Sequence, residues 1–275
     1  MRITRIAAAL HACAALSSAT ALSACATLSP AAAPRTPSNG TAVLQRMHDA
    51  YAGRWYHTLT FTQKTTQRRR DGTDTISTWY ESLRYTPATG TQLRIDLGPP
   101  AAGNGVLYTA DSSWRVRGGT LASAQAGGNE FLPMIEGVYM QPVSRTAAEV
   151  ANTHIDMQRV SRGMWEGRPV WIIGAFSSVD TTSPQFWVDI ERNVVVRMIL
   201  SPAPGAPSMD IHLDNYVPLS GGWLATRVAM SVGGVPRQTE EYRDWSTGRE
   251  LPPGLFEPAT WTTARHWASP PNVAP

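Results

Sequence analysis

The chain contains two cysteines, Cys13 and Cys25, and none in the remaining length of the sequence. A disulfide framework and a thiolate metal site are therefore excluded for everything that follows residue 25. The fold has to be held together by its apolar core, to which ten tryptophans contribute. Tryptophan in such number is typical of a core or of an apolar ligand cavity.

Charged residues are also few, at 16% of the chain, and the formal net charge is +3. Basic residues are spread along the sequence and form no stripe, so no nucleic-acid partner is predicted. The one basic cluster, residues 68–70, precedes Asp71 and Gly72, a pair typical of turns. It is interpreted as a solvated hairpin tip or, alternatively, as a contact for anionic lipid headgroups.

Catalytic and cofactor motifs are missing. The sequence has no GxSxG, no phosphate-binding GxxxxGK[ST], no GxGxxG and no HExxH. Glu240 and Glu241 are adjacent on a predicted strand and face opposite sides, so they cannot act as a pair. Asp210, His212 and Asp214 alternate along another strand. They are interpreted as the solvated face of a sheet or, alternatively, as a group able to bind a metal or polarise water. No catalytic residue, cofactor or metal is predicted, and the missing motifs favour a binding protein over an enzyme.

No apolar run is long enough for a transmembrane helix. The longest, from Ile6 to Leu22, is shorter than the roughly 20 residues of a span and is interrupted by His11. It follows two arginines and ends in Leu-Ser-Ala before Cys25, which resembles the lipobox of bacterial lipoproteins. Residues 1–24 are therefore predicted to be a lipoprotein signal peptide and Cys25 the site of lipid attachment. The alternative is an ordinary signal peptide in which the cysteine occurs by chance.

Residues 25–40 are rich in Ala, Pro, Ser and Thr and are predicted to be a flexible tether between the lipid and the domain. The residue after Cys25 is Ala26 rather than aspartate. By resemblance to lipoprotein sorting in bacteria with two membranes, this favours an outer-membrane lipoprotein that faces the periplasm.

The rest of the chain alternates between apolar and polar residues with a period of two, which predicts strands. A short helix over residues 41–51 precedes them, and residues 129–150 interrupt them with helical spacing. About eleven antiparallel strands predict a mainly β fold, a single strongly curved sheet that forms an incomplete β-barrel with a short helical lid. One domain is predicted over residues 41–263, followed by a C-terminal tail over 264–275.

Short motifs within residues 41–260 occur in the order found in the LolA family of periplasmic lipoprotein carriers, which this chain resembles. They are Phe61-Thr62-Gln63-Lys64, Val106-Leu107-Tyr108 with Asp111 and Trp114, Phe186-Trp187-Val188-Asp189 with Val196-Arg197, and Leu255-Phe256-Glu257-Pro258. Two features depart from the soluble carrier. Thr86 stands before Pro87 where that carrier has arginine. The soluble carrier is not lipidated, whereas this chain is predicted to be, and a lipid anchor is a feature of the LolB-type acceptor.

The resemblance to the LolA/LolB superfamily implies an incomplete barrel whose apolar inner face takes up the acyl chains of lipids or lipoproteins, with residues 129–150 as part of the lid. Strand alternation and lid position then select the residues expected to line the cavity, each of which has plain core packing as its alternative. They are Leu59, Phe61, Trp79, Leu83, Leu93, Ile95, Leu107, Phe131, Ile135, Phe186 and Trp223.

The function predicted is acyl-chain binding by a lipid-anchored envelope protein, in lipoprotein sorting or outer-membrane lipid transport. One alternative is a sensor or scaffold module like RseB, which would bind a protein partner and would present an exposed edge strand. A weaker alternative is an envelope hydrolase, in which Asp210, His212 and Asp214 would have to meet another polar group in a cleft.

Overall fold

The computed structural model describes residues 35–201 and 205–269, so Cys25, the predicted leader and most of the predicted tether lie outside the described residues. Three α-helices are present in these ranges: α1 Gly40–Tyr51, α2 Leu132–Ile135 and α3 Val143–Val150. The strands are β1 Thr58–Arg68, β2 Asp74–Thr86, β3 Gly90–Asp96, β4 Gly105–Tyr108, β5 Ser112–Arg117, β6 Thr120–Ala126, β7 Val160–Trp165, β8 Arg168–Ile173, β9 Gln185–Asp189, β10 Val195–Leu200, β11 Met209–Leu219, β12 Gly222–Val232 and β13 Val235–Thr247. None of the helices in the described parts is long and apolar enough to cross a membrane.

All the strands belong to one antiparallel sheet, whose order is β6-β5-β4-β3-β2-β1-β13-β12-β11-β10-β9-β8-β7. The first strand lies in the middle, between β2 and the last strand, while β6 and β7 form opposite edges. The sheet therefore does not close; helix α1 precedes β1, and α2 and α3 follow β6 before the chain returns as β7. This confirms the predicted fold class: a mainly β protein with one curved antiparallel sheet, an incomplete barrel and a short helical lid.

One strand, β6, was missed by the sequence pattern. Apart from Leu121 its residues are small or polar, all are exposed, and only Thr120 has the β-branched character of typical strand residues. The hairpin that forms it turns at Gly118 and Gly119, whose φ angles are 53° and 78°. Positive φ at both central residues is the requirement of the tightest hairpin turns, which glycine meets without a steric penalty.

Helix α1 covers part of the concave face of the sheet. It begins where the Asn39 side chain accepts a hydrogen bond from the backbone N–H of Ala42 at 2.9 Å, an ordinary N-cap. Val43, Leu44 and Met47 then fall on one face at helical spacing and are all at most 1% exposed. Burying each such side chain contributes about 1.5–3 kcal/mol, so this face holds the helix on the sheet.

The convex face carries a second, smaller core, formed with the C-terminal segment. Leu107 and Val116 pack there with Leu255, Phe256 and Trp261. Because alternate residues of a strand face opposite sides, Leu107 belongs to this core while its neighbours in β4 face the concave side.

A buried ion pair ties this segment to the sheet. Arg94, 1% exposed, donates two hydrogen bonds to Asp96 and one each to the carbonyl oxygens of Leu255 and Trp261, both at 3.1 Å. Its guanidinium carbon lies 3.8 Å from the centroid of the Trp261 ring, and His266 Nε2 lies 3.1 Å from Asp96 Oδ2. Each of the three guanidinium nitrogens thus donates at least one hydrogen bond, and pairing of this kind is what a buried charge requires. His266, assigned to the tail by its sequence position, is 5% exposed.

Replacing Arg94 with alanine should destabilise the protein by about 3–5 kcal/mol, because it leaves Asp96 buried without its cation. The C-terminal segment should then lose protection, since two of its carbonyl groups lose their donor. Urea unfolding and hydrogen exchange over residues 251–267 measure both effects. The control is Arg117→Ala, at an exposed position of β5, where a change within about 0.5 kcal/mol is expected. Equal effects of the two substitutions would contradict the role of the ion pair.

Candidate functional site

A cavity of about 570 Å³ lies between the concave face of the sheet and the lid. This volume falls within the range of small-molecule sites, about 300–1,000 Å³. Nine of the predicted lining residues stand on its wall: Leu59, Phe61, Trp79, Leu83, Leu93, Ile95, Phe131, Ile135 and Trp223. They come together because the register of β1, β2 and β3 places Leu59 opposite Leu83, and Leu83 opposite Leu93. That they bind a ligand stays a prediction.

Two predicted lining residues lie elsewhere. Leu107 is fully buried on the convex side, because in β4 it is Val106 and Tyr108 that face the cavity. Phe186 is on the concave face, opposite Met198 of the next strand, but it is fully buried in the main core with the apolar face of α1. Leu107 was assigned to the wrong face of the sheet. Phe186 was assigned to the right face, but at a place where helix α1 leaves no space.

The lid is closed by an aromatic cluster that the sequence pattern did not reveal. Tyr139 stacks on Trp55 at 3.8 Å between ring centroids, and Tyr51 meets both rings edge-on. Trp223 Nε1 donates to the Tyr51 hydroxyl at 2.8 Å, which links the lid to β12. Tyr139 and Trp223 are far from Tyr51 and Trp55 in sequence, so no local spacing signals that they meet.

Glu136 lies buried at the centre of this cluster. Trp55 Nε1 donates to one of its carboxylate oxygens at 2.9 Å and the Tyr56 hydroxyl to the other at 3.0 Å. Burial raises the pKa of Glu136 to about 7, although the hydrogen bonds from Trp55 and Tyr56 act to lower it. The lid therefore contains a carboxyl group that changes charge near neutral pH.

Two more carboxyl groups reach the cavity from the floor of the sheet, Glu81 of β2 and Glu240 of β13. Glu240 accepts hydrogen bonds from Gln238 at 2.6 Å and from the Tyr242 hydroxyl at 2.8 Å. Burial raises the pKa of Glu240, and these hydrogen bonds oppose the shift. The neighbouring Glu241 faces the other side and forms an ion pair with Lys64, as the strand alternation predicts.

Glu81 differs from the other two. It is 6% exposed and lines the cavity, yet no side chain or backbone group in the described parts of the chain donates a hydrogen bond to it. Burial, with the nearby Glu240 carboxylate adding to it, raises the pKa of Glu81 well above its usual value. A sequence signal existed, since Glu81 lies between Trp79 and Leu83 at the spacing that selected both.

The cavity shares three wall residues, Gln67, Met230 and Gln238, with a second cavity of about 580 Å³ at the far ends of the central strands. Arg68 and Arg69 border this second cavity. The guanidinium of Arg68 pairs with Asp74 at 2.6 Å, and Arg69 Nε donates to Thr75 Oγ1 at 2.6 Å. The basic cluster thus lies exposed at the β1–β2 hairpin tip, beside the polar end of the cavity system.

Asp210, His212 and Asp214 face the convex side, because the residues that alternate with them, Ile211 and Leu213, line the cavity. Arg197 donates two hydrogen bonds to Asp210, at 2.7 and 2.9 Å, and Arg227 donates to Asp214 at 2.6 Å. Burial raises the pKa of Asp210, but the hydrogen bonds from Arg197 and His212 outweigh it and lower this pKa to about 2. The convergence in a cleft that the hydrolase interpretation required is not formed by these residues.

Within residues 35–201 and 205–269, no group of three or more His, Cys, Asp and Glu side chains is arranged to hold a metal ion.

Comparison with solved structures relates this geometry to known proteins. A domain provisionally assigned to outer-membrane lipoprotein sorting, from Vibrio parahaemolyticus, superimposes with a TM-score of 0.57 at 12% identity, covering 81% of this chain and 98% of that one. This chain has the fold of that lipoprotein-sorting domain. A DUF1329 family protein from Desulfovibrio piger shares the fold, with a TM-score of 0.54, 12% identity and coverage of 79% and 95%.

A LolA superfamily protein from Nitrosomonas europaea matches at a TM-score of 0.47, with 12% identity and coverage of 80% and 98%. The fold assignment depends on the first two structures. No family model matches the chain, and no curated protein matches its sequence. The fold shared with the first two structures confirms the architecture that the resemblance implied, and the ligand is a separate question.

The buried Glu136 should make this fold less stable as the pH rises. Its pKa of about 7 in the folded state exceeds the usual 4.5, so its contribution is complete below pH 4.5 and is lost as the pH rises through 7. Glu136→Gln, which can keep both hydrogen bonds, should remove about 2.5 kcal/mol of the stability difference between pH 5 and pH 8. Urea unfolding at the two pH values measures this. An unchanged difference would show that Glu136 ionises normally in the folded protein.

Proposed function

We propose that this protein binds acyl chains of lipids or lipoproteins in the cavity beneath the lid. The observation that carries the proposal is the cavity wall itself, on which nine residues chosen for their apolar character and strand position stand around about 570 Å³ of space. The shared fold supports it, because a domain provisionally assigned to lipoprotein sorting superimposes on 81% of this chain.

The free energy available for such binding is large. Transfer of hydrocarbon from water contributes about 0.8 kcal/mol for each buried methylene group, so a sixteen-carbon chain contributes on the order of 10 kcal/mol before the cost of ordering. Release needs no covalent chemistry, since a chain leaves one apolar site for another of higher affinity. Movement of the lid would set the rate of this exchange. The proposal is therefore a binding and transfer protein rather than an enzyme.

The proposed location follows from the sequence. Acylation of Cys25 would anchor the protein in a membrane, and Ala26 favours the outer membrane with the domain in the periplasm. Residues 25–40 would connect the anchor to the sheet. In that setting the protein would serve lipoprotein sorting or lipid transport to the outer membrane.

Filling the cavity tests the proposal. Ala225 lines the cavity on β12 and is 7% exposed, so Ala225→Trp should occupy space that an acyl chain needs. We expect the full chain carrying Cys25→Ser, purified from a bacterial envelope, to retain acyl lipid in native mass spectrometry, and Ala225→Trp to lose about 90% of it.

The matched control is Ala124→Trp, at an exposed position of β6, which should bind as the parent does. Leu93→Glu is a second cavity variant, because it places a charge on the apolar wall. Circular dichroism shows which variants fold. A folded parent protein without lipid, and without uptake of added fatty acid, would overturn the proposal.

A second candidate function is the sensor or scaffold module, and one observation favours it. Edge strand β6 is exposed along its entire length and carries no charge and no proline, the features that usually protect an edge from pairing. An extended segment of a partner protein could add to the sheet there. This interpretation uses the edge of the sheet and leaves the cavity unexplained.

Charges on the edge distinguish the two functions. Ala122→Lys combined with Ala124→Lys should leave lipid uptake unchanged, because β6 does not line the cavity. If β6 docks a partner, a protein should co-purify with the parent in an amount equal to that of the parent. The variant with both lysines should lose this protein, and native mass spectrometry quantifies both results. Retention of that protein by the variant, or no such protein in the parent, would count against the module.

A further inference from the structure

The cavity wall contains a group that an acyl chain does not explain. Glu81 is buried, faces the cavity and has no hydrogen-bond donor among residues 35–201 and 205–269. A carboxyl group that faces an apolar cavity loses its hydration when hydrocarbon fills that cavity, so a leucine at this position would serve a hydrocarbon ligand better. A group of the ligand that bonds to Glu81 would account for it.

The surroundings of Glu81 indicate the charge of that group. Glu240 is near enough for its carboxylate to raise the pKa of Glu81, and no lysine stands on the cavity wall. The charged and titratable groups that line the cavity are Glu136 and Tyr139 from the lid, Tyr108 of β4, Arg115 of β5, Tyr216 of β11, and Glu240 and Tyr242 of β13. Acidic groups thus outnumber basic ones, and a cation is the charge that lets these carboxyl groups ionise.

Aromatic rings stand on the same part of the wall. Phe61 is directly opposite Glu81 in the β1–β2 register, and its ring lies 4.2 Å from that of Tyr242. Trp79 faces the cavity two residues before Glu81. Carboxylates together with ring faces form the usual environment for an ammonium group, which ring faces attract within about 6 Å.

We propose that Glu81 and Glu240, with the rings of Phe61, Trp79 and Tyr242, form a subsite for the ammonium group of an amphiphile whose hydrocarbon chain occupies the rest of the cavity. The inference rests on the proposed function, because it assigns the polar end of the ligand that the apolar wall accepts. It divides the wall in two: Leu59, Leu83 and Leu93 bind hydrocarbon, while Glu81 selects the head.

Burial and the nearby Glu240 carboxylate raise the pKa of Glu81, and a cation bound beside Glu81 would lower that pKa again. An alkylamine, whose pKa is about 10, arrives protonated. On binding, Glu81 becomes the carboxylate partner of the ammonium group, and any proton that it carried passes to the solvent. Binding of the amine should therefore release protons, and affinity for the amine should increase with pH.

Three ligands of ten carbons test the subsite: decylamine, decan-1-ol and decanoate. The protein is the full chain with Cys25→Ser, and calorimetry at pH 7 in two buffers of different ionisation enthalpy gives both affinity and proton release. The parent should bind decylamine about tenfold or more tightly than decan-1-ol, since a charged hydrogen bond replaces a neutral one. Decanoate should bind more weakly than either, because it would add a third acidic group beside Glu81 and Glu240 and brings no cation to them.

Glu81→Gln has nearly the same shape and cannot ionise. It should bind decan-1-ol as the parent does, lose most of the preference for decylamine and release less than half of the protons. The matched control is Glu241→Gln, one residue beyond Glu240 on the opposite face, where all three values should stay unchanged.

The outcomes separate the two proposals. Binding of decan-1-ol without preference for decylamine, or a preference that Glu81→Gln leaves intact, overturns the ammonium subsite and leaves acyl binding standing. Failure of every ligand to bind to the folded parent overturns both proposals. Preference for the amine that Glu81→Gln abolishes, with Glu241→Gln unaffected, establishes the subsite.

Discussion

A sheet that curls without closing leaves a concave face that has to be covered, and the rest of this structure follows from how it is covered. Over β8, helix α1 approaches so closely that a Cβ added to Gly40 would lie 2.7 Å from the Ile173 side chain. Every residue of β9 and β10 is buried, so this half is ordinary core. Over β1 to β4 and β11 to β13 the aromatic lid spans the face without filling it, and the cavity lies there. Phe186 and Leu93 therefore share a face but differ in role.

The strand β3 connects the two sides of the sheet. Leu93 and Ile95 face the cavity, while Arg94 and Asp96 between and after them bind the C-terminal segment on the convex face. Such an ion pair is a weak source of net stability, because desolvation of both charges offsets their attraction. Its effect is geometric: a guanidinium that donates to two carbonyl groups of the C-terminal segment holds that segment in a single position. The outer layer then fixes the strand whose inner residues form the cavity wall.

The alternation of apolar and polar residues along a strand predicts which face of the sheet each side chain occupies. For this reason most of the fold and much of the apolar wall are predictable from sequence. It succeeds for Trp79 and Leu83 in a long strand, and it fails for Leu107 because β4 has only four residues and offers too short a pattern. Contacts that depend on register between distant strands cannot be predicted in this way. Glu81 approaches Glu240 only because β1 pairs with both β2 and β13, and no local signal contains that information. The lid cluster of Trp55 and Tyr139 is hidden for the same reason.

Three buried carboxyl groups in one apolar cavity require separate explanations. Glu136 joins Trp55 to Tyr56 and so belongs to the structure of the lid. Glu240 is satisfied by Gln238 and Tyr242 on its own strand. Both could be retained for stability alone, since a hydrogen-bonded polar group in a core is tolerated. Glu81 lacks this justification, because it faces the cavity and none of the described residues donates a hydrogen bond to it. Residues that contradict the rules of packing without compensation within the chain are typical of functional sites, and the partner of Glu81 is therefore to be sought in the ligand.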